Sequence, residues 1–454
     1  MAIGKLKSLD NVDKSQDVSR LNQLIDIISA DINNTANRRR YSSFVSGNTT
    51  EVDSSLFKTI FDQDHTLQSA NALFDMSFGL YTNVDSQLNF VGSTVVTDLA
   101  NKKIDSSGKY IFESTTSNMI REKISVYRQY AQSLLGSSTA VFRTSHNADQ
   151  TLTNNIINEA LFINVKRLFK RDQISKGTVG LKFFNRVGNN EELAVNALNA
   201  TNGTLFTSPN ETFLGRSAFS NNVDFVNDTV FIYDTNASLY YNVGVSGEVA
   251  TLKLMLGNNT PKDCGLVFYD MGIIVLDVNV IFNLLDPVQG VIDFPDAAAG
   301  NATFNLLDGT TQAVVIPAGK KPLGNVVGGN IVAATLKNFL QLATIEQIID
   351  HFCNTRFTAA TDTAFTFQNE TIINSTIYFC NAGVGDFNYS TNPTYTDENG
   401  KIIVVKNLTD QPFSYITTVG LHSNTGDLLA VAKLSRPVEK NPNNQLSIRV
   451  RLDY

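Results

Sequence analysis

Reactive side chains are scarce in this sequence. Its 454 residues include three cysteines and four histidines, and only 17% of them are charged. Cys264, Cys353 and Cys380 are odd in number and widely spaced, with no Cys-x-x-Cys pair. That pattern signals neither a disulfide framework nor a zinc site, and buried thiols are the expectation. His65, His146, His351 and His422 fall in no ligand pattern such as His-Glu-x-x-His, so each reads as a surface or satisfied histidine. There is no Gly-x-Ser-x-Gly elbow to present a hydrolase nucleophile, and no Asp-x-Asp-x-Asp-Gly spacing to hold calcium.

Long apolar runs are missing too. The most apolar stretch, Gly265 to Leu285, is broken by Asp270, Asp277 and Asn279, which disfavours a membrane span. The first ten residues are too polar for a signal peptide. A soluble protein made in a cytoplasm is therefore expected. The net charge of −7 argues against nucleic-acid binding by the whole chain, because neutralising phosphates takes clustered Lys and Arg. Gly319-Lys320-Lys321-Pro322 lacks the residues of a phosphate loop, and Gly324 to Asn330 reads as a plain loop ahead of a helix. The carboxylate pairs Asp62 with Asp64 and Asp386 with Asp397 read as solvated loop acids. No catalytic, metal or cofactor site is expected, and no enzyme is supported.

What remains is an apolar fraction of 42%, with polarity carried by Asn, Thr and Ser. At this length a multidomain α+β chain is expected, a helical N-terminal region followed by β-rich, sandwich or barrel-like domains. Val18, Leu21, Leu24, Ile25, Ile28 and Ile32 recur at helical spacing from about Asp17. Further helices are expected over 55–80, 117–135 and 154–169, the second of these stopping at Gly136. The boundaries that follow are 1–176, mainly helical with intersubunit arms, 177–325, β-rich, and 326–454, a helix at about 331–352 plus a second β-rich domain.

Short strand-like runs begin at Val179, Val230, Leu239, Ala250, Leu266 and Ile273, and again at Phe365, Ile377, Lys401, Ser414, Asp427 and Leu446. Ser423 to Asp427 reads as a hairpin turn. In the last run Leu446, Ile448, Val450 and Leu452 alternate with Ser447, Arg449, Arg451 and Asp453, so one face is core and the end of the run should be tied into a sheet.

Two basic clusters follow expected helix ends: Arg38, Arg39 and Arg40, and Lys166, Arg167, Lys170 and Arg171. Cations suit the carbonyl end of a helix, and the same seven residues are candidate contacts to an anionic neighbour.

Several stretches are familiar as wholes. Asp386-Phe-Asn-Tyr-Ser-Thr-Asn-Pro-Thr-Tyr395, Pro412-Phe-Ser-Tyr-Ile-Thr-Thr-Val-Gly-Leu421 and Leu428-Leu-Ala-Val-Ala-Lys-Leu-Ser-Arg-Pro437 resemble the C-terminal region of large virion structural proteins of T-even-type myoviruses, especially those of marine cyanobacteria. Glu159 to Phe169 and Gly265 to Leu276 are similar to earlier parts of the same group. The resemblance implies a non-enzymatic component of a tailed phage particle, assembled in the host cytoplasm into the contractile tail or baseplate (wedge). Its partners would be other virion subunits and copies of itself. Alternatives within the same setting are a neck or capsid-associated protein, or a receptor- or glycan-binding tail adhesin with Tyr389, Tyr395 and Phe413 as an aromatic platform.

Overall fold

The computed structural model describes residues 7–40, 55–81, 116–149, 155–185, 229–234, 241–256, 260–284, 336–357 and 362–454, with positions 391, 406 and 408 excepted, the isolated positions 151, 237 and 239, and the backbone of short segments between 287 and 335. The expected α+β fold with a helical N-terminal region is corrected by what these residues form. Strand outweighs helix, 46% to 18%, and the N-terminal part is built of strands.

In chain order the strands are β1 (Lys14–Ile28), β2 (Arg38–Arg40), β3 (Lys58–Phe61), β4 (Ala72–Leu80), β5 (Glu159–Val165), β6 (Gln173–Ile174), β7 (Gly180–Phe184), β8 (Thr229–Tyr233), β9 (Asn242–Gly244), β10 (Gly247–Leu256), β11 (Lys262–Phe268) and β12 (Ile273–Asp277). Eight short strands follow, β13 (Pro287–Val288), β14 (Val291–Asp293), β15 (Gly300–Asn305), β16 (Thr311–Ile316), β17 (Lys320–Pro322), β18 (Val326–Val327), β19 (Asn330–Ile331) and β20 (Ala334–Thr335). The last four are β21 (Thr363–Ala382), β22 (Ser414–His422), β23 (Leu428–Lys440) and β24 (Leu446–Asp453). The helices are α1 (Ser29–Asn33), α2 (Thr116–Leu135), α3 (Arg167–Lys170), α4 (Val278–Ile281), α5 (Leu336–Leu342) and α6 (Ile345–His351), which runs into a π-helical turn, Phe352–Arg356. The residue 324–330 loop lies largely outside the described residues.

The chain forms two compact units, one of residues 22–370 and one of residues 1–21 with 371–454. β1 and β21 each run through both, and pairing counted along them gives an antiparallel sheet of 14 strands. In the larger unit the order is β21-β7-β8-β10-β11-β12-β5-β4-β3-β2. The strands expected from Val179, Val230, Ala250, Leu266 and Ile273 are therefore real, and the one expected from Leu239 is reduced to β9, but all share this one sheet and are not a separate sandwich.

The central strands explain why a helix was expected where none forms. β4 and β5 are buried on both faces, with Phe74, Met76, Phe78, Leu161, Phe162 and Ile163 closed off from solvent. A continuous apolar run of that kind fits a doubly covered strand as well as a helix. Within 55–80 the polar segment Asp62–Asn71 turns β3 into β4, with Asp62 accepting from the Asn71 backbone N–H at 2.8 Å. In β1 the periodic residues do not form a core stripe: Val18, Leu21 and Leu24 stay exposed while Ile27 is buried. Hydrogen bonds along β21 hold its second half instead, Gln23 N–H to Asn369 Oδ1 at 3.2 Å and Thr366 Oγ1 to the Ile25 carbonyl at 3.2 Å.

α2 matches the expectation and covers the sheet through Tyr127, Ala131 and Leu134. Gly79 permits the close approach, since a Cβ there would meet the Tyr127 backbone and the Phe162 ring at 3.0 Å. Tyr130 stacks on Phe162 with ring centroids 4.0 Å apart. The helix expected near 331–352 is split into α5 and α6 by Thr344, whose hydroxyl accepts from Gln347 N–H in a capping box.

The smaller unit holds β24 on the second half of β21, from Ser375 opposite Asp453 to Ala382 opposite Leu446. β24 shows the expected alternation, with Val450 buried and Arg449 and Arg451 exposed. Tyr454 is tied by reciprocal backbone hydrogen bonds to Asn374. β22 and β23 form a two-stranded sheet of their own. The strand expected over 401–405 is reduced to a single bridge between Thr396 and Ile402.

Candidate functional site

The seven candidate cations divide by what they touch. Arg38 lies in β2, not at the end of the long helix expected there, and is buried. Its guanidinium donates to the Asn33 carbonyl at the end of the five-residue α1 (3.0 Å), to Asp350 Oδ1 (2.8 Å) and to Asn354 Oδ1. Lys58 Nζ meets Asp350 Oδ2 at 2.6 Å and Glu346 at 3.1 Å, and exposed Arg40 reaches Glu346 at 3.6 Å. This is an internal ion network that fastens β2 and β3 to α6. Arg39 is exposed. In the second cluster Lys166 pairs with Asp75 at 2.5 Å and Lys170 donates to the Asp270 carbonyl at 2.5 Å. Arg167 and Arg171 are exposed, and Arg171 adopts a left-handed φ of 58° at the end of α3.

Buried titratable groups that the sequence did not reveal include Lys123 and Asp277. Lys123 on α2 is fully buried and donates to the carbonyls of Leu340 (2.8 Å) and Gln341 (3.0 Å) in α5. Burial pushes its amine down to about 7. Asp277 ends β12 beside β5, and its carboxylate caps α4 by accepting from Asn279 N–H at 2.9 Å. Burial, with the charge of Glu159 behind it, raises Asp277 to about 7. Glu159 is itself raised by burial, and its carboxylate accepts from the Asn279 side chain. The sequence signal was the Asp277-Val-Asn279 step at a strand end, an Asx cap whose burial only the sheet supplies.

Asp277 carries a pH signature. A carboxyl whose folded pKa is raised favours the folded state below its unfolded value, near 3.8, and that advantage fades as pH climbs through about 7. Asp277→Asn keeps the cap and removes the charge. It is expected to match the parent at pH 4 and to be more stable by about 2 kcal/mol at pH 8, part of the gain being offset by the weaker amide acceptor. Urea unfolding at both pH values measures this, and equal stabilities at pH 8 would show that the buried carboxylate costs nothing.

None of these groups lines the cavity found among the described residues. The described cavity of about 210 Å³ is a shallow groove lined by Leu181, Lys182, Phe231, Ile232, Tyr233 and Thr366. Among the described residues no group of three His, Cys, Asp or Glu could hold a metal ion. Cys264 and Cys353 are buried thiols and Cys380 is half-buried. Asp62 and Asp64 are engaged locally by Asn71 and Thr66, Asp386 by Lys7 at 2.7 Å, and Asp397 by the Lys401 N–H.

The feature left without an internal explanation is the hairpin of β22 and β23. Its base is locked: Lys440 is fully buried and donates to Asn388 Oδ1 (2.6 Å) and to the carbonyls of Asn441 (2.8 Å) and Val384 (3.3 Å). Tyr395, also buried, donates to the Phe413 carbonyl at 2.8 Å. Beyond Ser414 and Lys440 no residue of either strand is buried. Ile416 pairs with Val438, Val419 with Ala432 and Leu421 with Ala430, which makes one face of the ribbon apolar. That face is half-buried, while Leu428 and Val431, which pair with His422 and Gly420 on the other side, and Leu429 at the register shift are more than half exposed, Leu429 at 70%. Of the aromatics grouped by sequence, Tyr389 is exposed and packs edge-on to buried Tyr395, while Phe413 packs against exposed Tyr415.

Comparison with protein families, with characterised proteins and with solved structures finds no match for this chain. No described helix is long and apolar enough to cross a membrane.

Proposed function

We propose that this protein is a non-enzymatic structural subunit that acts by being built into an assembly, and that the assembly is the tail or baseplate of a tailed phage. The observation that carries the first part is the bare ribbon of β22 and β23. A two-stranded hairpin is marginal in water, and this one leaves Leu428, Leu429 and Val431 more than half exposed, so it gains stability when something else covers it. A buried lysine and a buried tyrosine hold the ribbon's base, so the projecting part is presented from a fixed support. The second part rests on the resemblance of 386–395, 412–421 and 428–437 to virion proteins, and two of those three stretches are the ribbon itself. The adhesin alternative is weaker, because Tyr395, one of its three platform aromatics, is buried.

Cryo-electron microscopy of purified particles of the encoding virus is the test. Density for this chain in the distal tail, in copy numbers set by six-fold symmetry, is the expected result. Absence from particles would overturn the virion reading.

A further inference from the structure

The two edges of the ribbon are unlike. β23 carries Lys433, Arg436, Pro437 and Glu439, the kinds of residue that discourage an exposed strand from pairing. β22 reads Ser-Tyr-Ile-Thr-Thr-Val-Gly-Leu-His, with no Asp, Glu, Lys, Arg or Pro in nine residues. Among the described residues its sole strand partner is β23, so the backbone groups along its other edge face no described strand.

We infer that this edge is filled by β22 of a second copy of the same chain, running antiparallel, so that two ribbons join into a four-stranded sheet. The inference rests on the assembly reading and names the partner it requires. Three observations favour a second copy. An uncharged edge set against itself brings no like charges opposite each other, whereas a charged partner strand would find no counter-charge on β22. Antiparallel pairing of identical strands closes about a two-fold axis and leaves no further copy of β22 to recruit, while the guarded β23 edges end the sheet on both sides. The apolar faces of the two ribbons, each with Ile416, Val419 and Leu421, then become continuous, and four strands exceed the number at which a sheet with one apolar face becomes stable.

The experiment uses the full chain and residue Thr417, which is exposed and stands at the irregularity where the register between Ile416 and Thr418 shifts, so that no β23 residue lies opposite it. Sedimentation equilibrium across the micromolar range should show the parent protein as a dimer. Thr417→Lys and Thr417→Glu, each alone, place like charges near one another across the two-fold axis and should raise the dimer dissociation constant about tenfold. Mixing the two variants should restore parental affinity in a heterodimer, an outcome that misfolded variants could not give. A parent protein that stays monomeric, or variants that associate as the parent does, would overturn the pairing. Particles that contain the chain with no two β22 strands in contact would reject this inference and leave the assembly reading standing. Dimers formed through β22 by a chain absent from particles would do the reverse.

Discussion

Replacing Asp350 with alanine should cost about 3–5 kcal/mol of folding stability, because it leaves two buried cations facing each other without their shared anion. Asp350 receives Arg38 on one carboxylate oxygen at 2.8 Å and Lys58 on the other at 2.6 Å. The Arg38 side chain is 2% exposed and the Asp350 side chain 24%, so water entering from the Asp350 side replaces only part of what the carboxylate gives. Glu346 stays within 3.1 Å of Lys58, and Asn354 and the Asn33 carbonyl stay on Arg38, which keeps the loss below that of stripping the whole network. The matched double variant Arg38→Met with Asp350→Leu removes charge and counter-charge together and should recover most of the stability, since a buried ion pair is often replaceable by apolar packing. Guanidinium unfolding of the two variants decides the point. A single variant within 1 kcal/mol of the parent would mean that the network behaves as a solvated surface pair.

Gly265→Ala should be comparably damaging for a steric reason. Gly265 sits in β11 opposite Leu276 of β12, in the middle of the sheet. A Cβ there would lie 2.2 Å from the Val275 carbonyl oxygen and 3.2 Å from the Leu276 Cα, and neither is the movable end of a side chain. Either β11 and β12 part, losing ladder hydrogen bonds, or the strand bends within a close-packed core. A cost of about 3 kcal/mol or more is expected. Gly385→Ala is the control, because nothing lies within 4 Å of its added carbon, and a loss below about 0.5 kcal/mol is expected. Thermal melts of the pair measure both. Equal melting temperatures would show that the sheet yields at Gly265 at no cost.

How far the sequence spoke depended on what covers each segment. The strands β7, β8, β10, β11, β12, β22, β23 and β24 were legible because turn residues bracket short β-branched or aromatic runs. So was α2, whose apolar stripe faces one sheet and whose other side is wet. Glu159–Val165 and Ala72–Leu80 were not, because residues buried on both faces erase the alternation that separates strand from helix. β1 failed for the opposite cause: its helical spacing is genuine, but backbone pairing to β21 governs the segment and leaves Val18, Leu21 and Leu24 outside any core. Of the candidate contacts, the basic clusters were visible as charge. That Arg38, Lys166 and Lys170 are spent on internal partners was not, since Asp350, Asp75 and Asp270 lie 312, 91 and 100 residues away along the chain.

The smaller unit is discontinuous in sequence, made of residues 1–21 and 371–454, with the residues of the larger unit between them in the chain. On the ribosome this imposes an order. Residues 22–370 can collapse while synthesis continues, but the smaller unit cannot close until β24 has emerged to lie along β21. The ribbon and its lysine anchor are made late, after every strand of the larger unit. The larger unit can thus be complete before the ribbon proposed to pair with a second copy exists, which keeps the two processes apart in time.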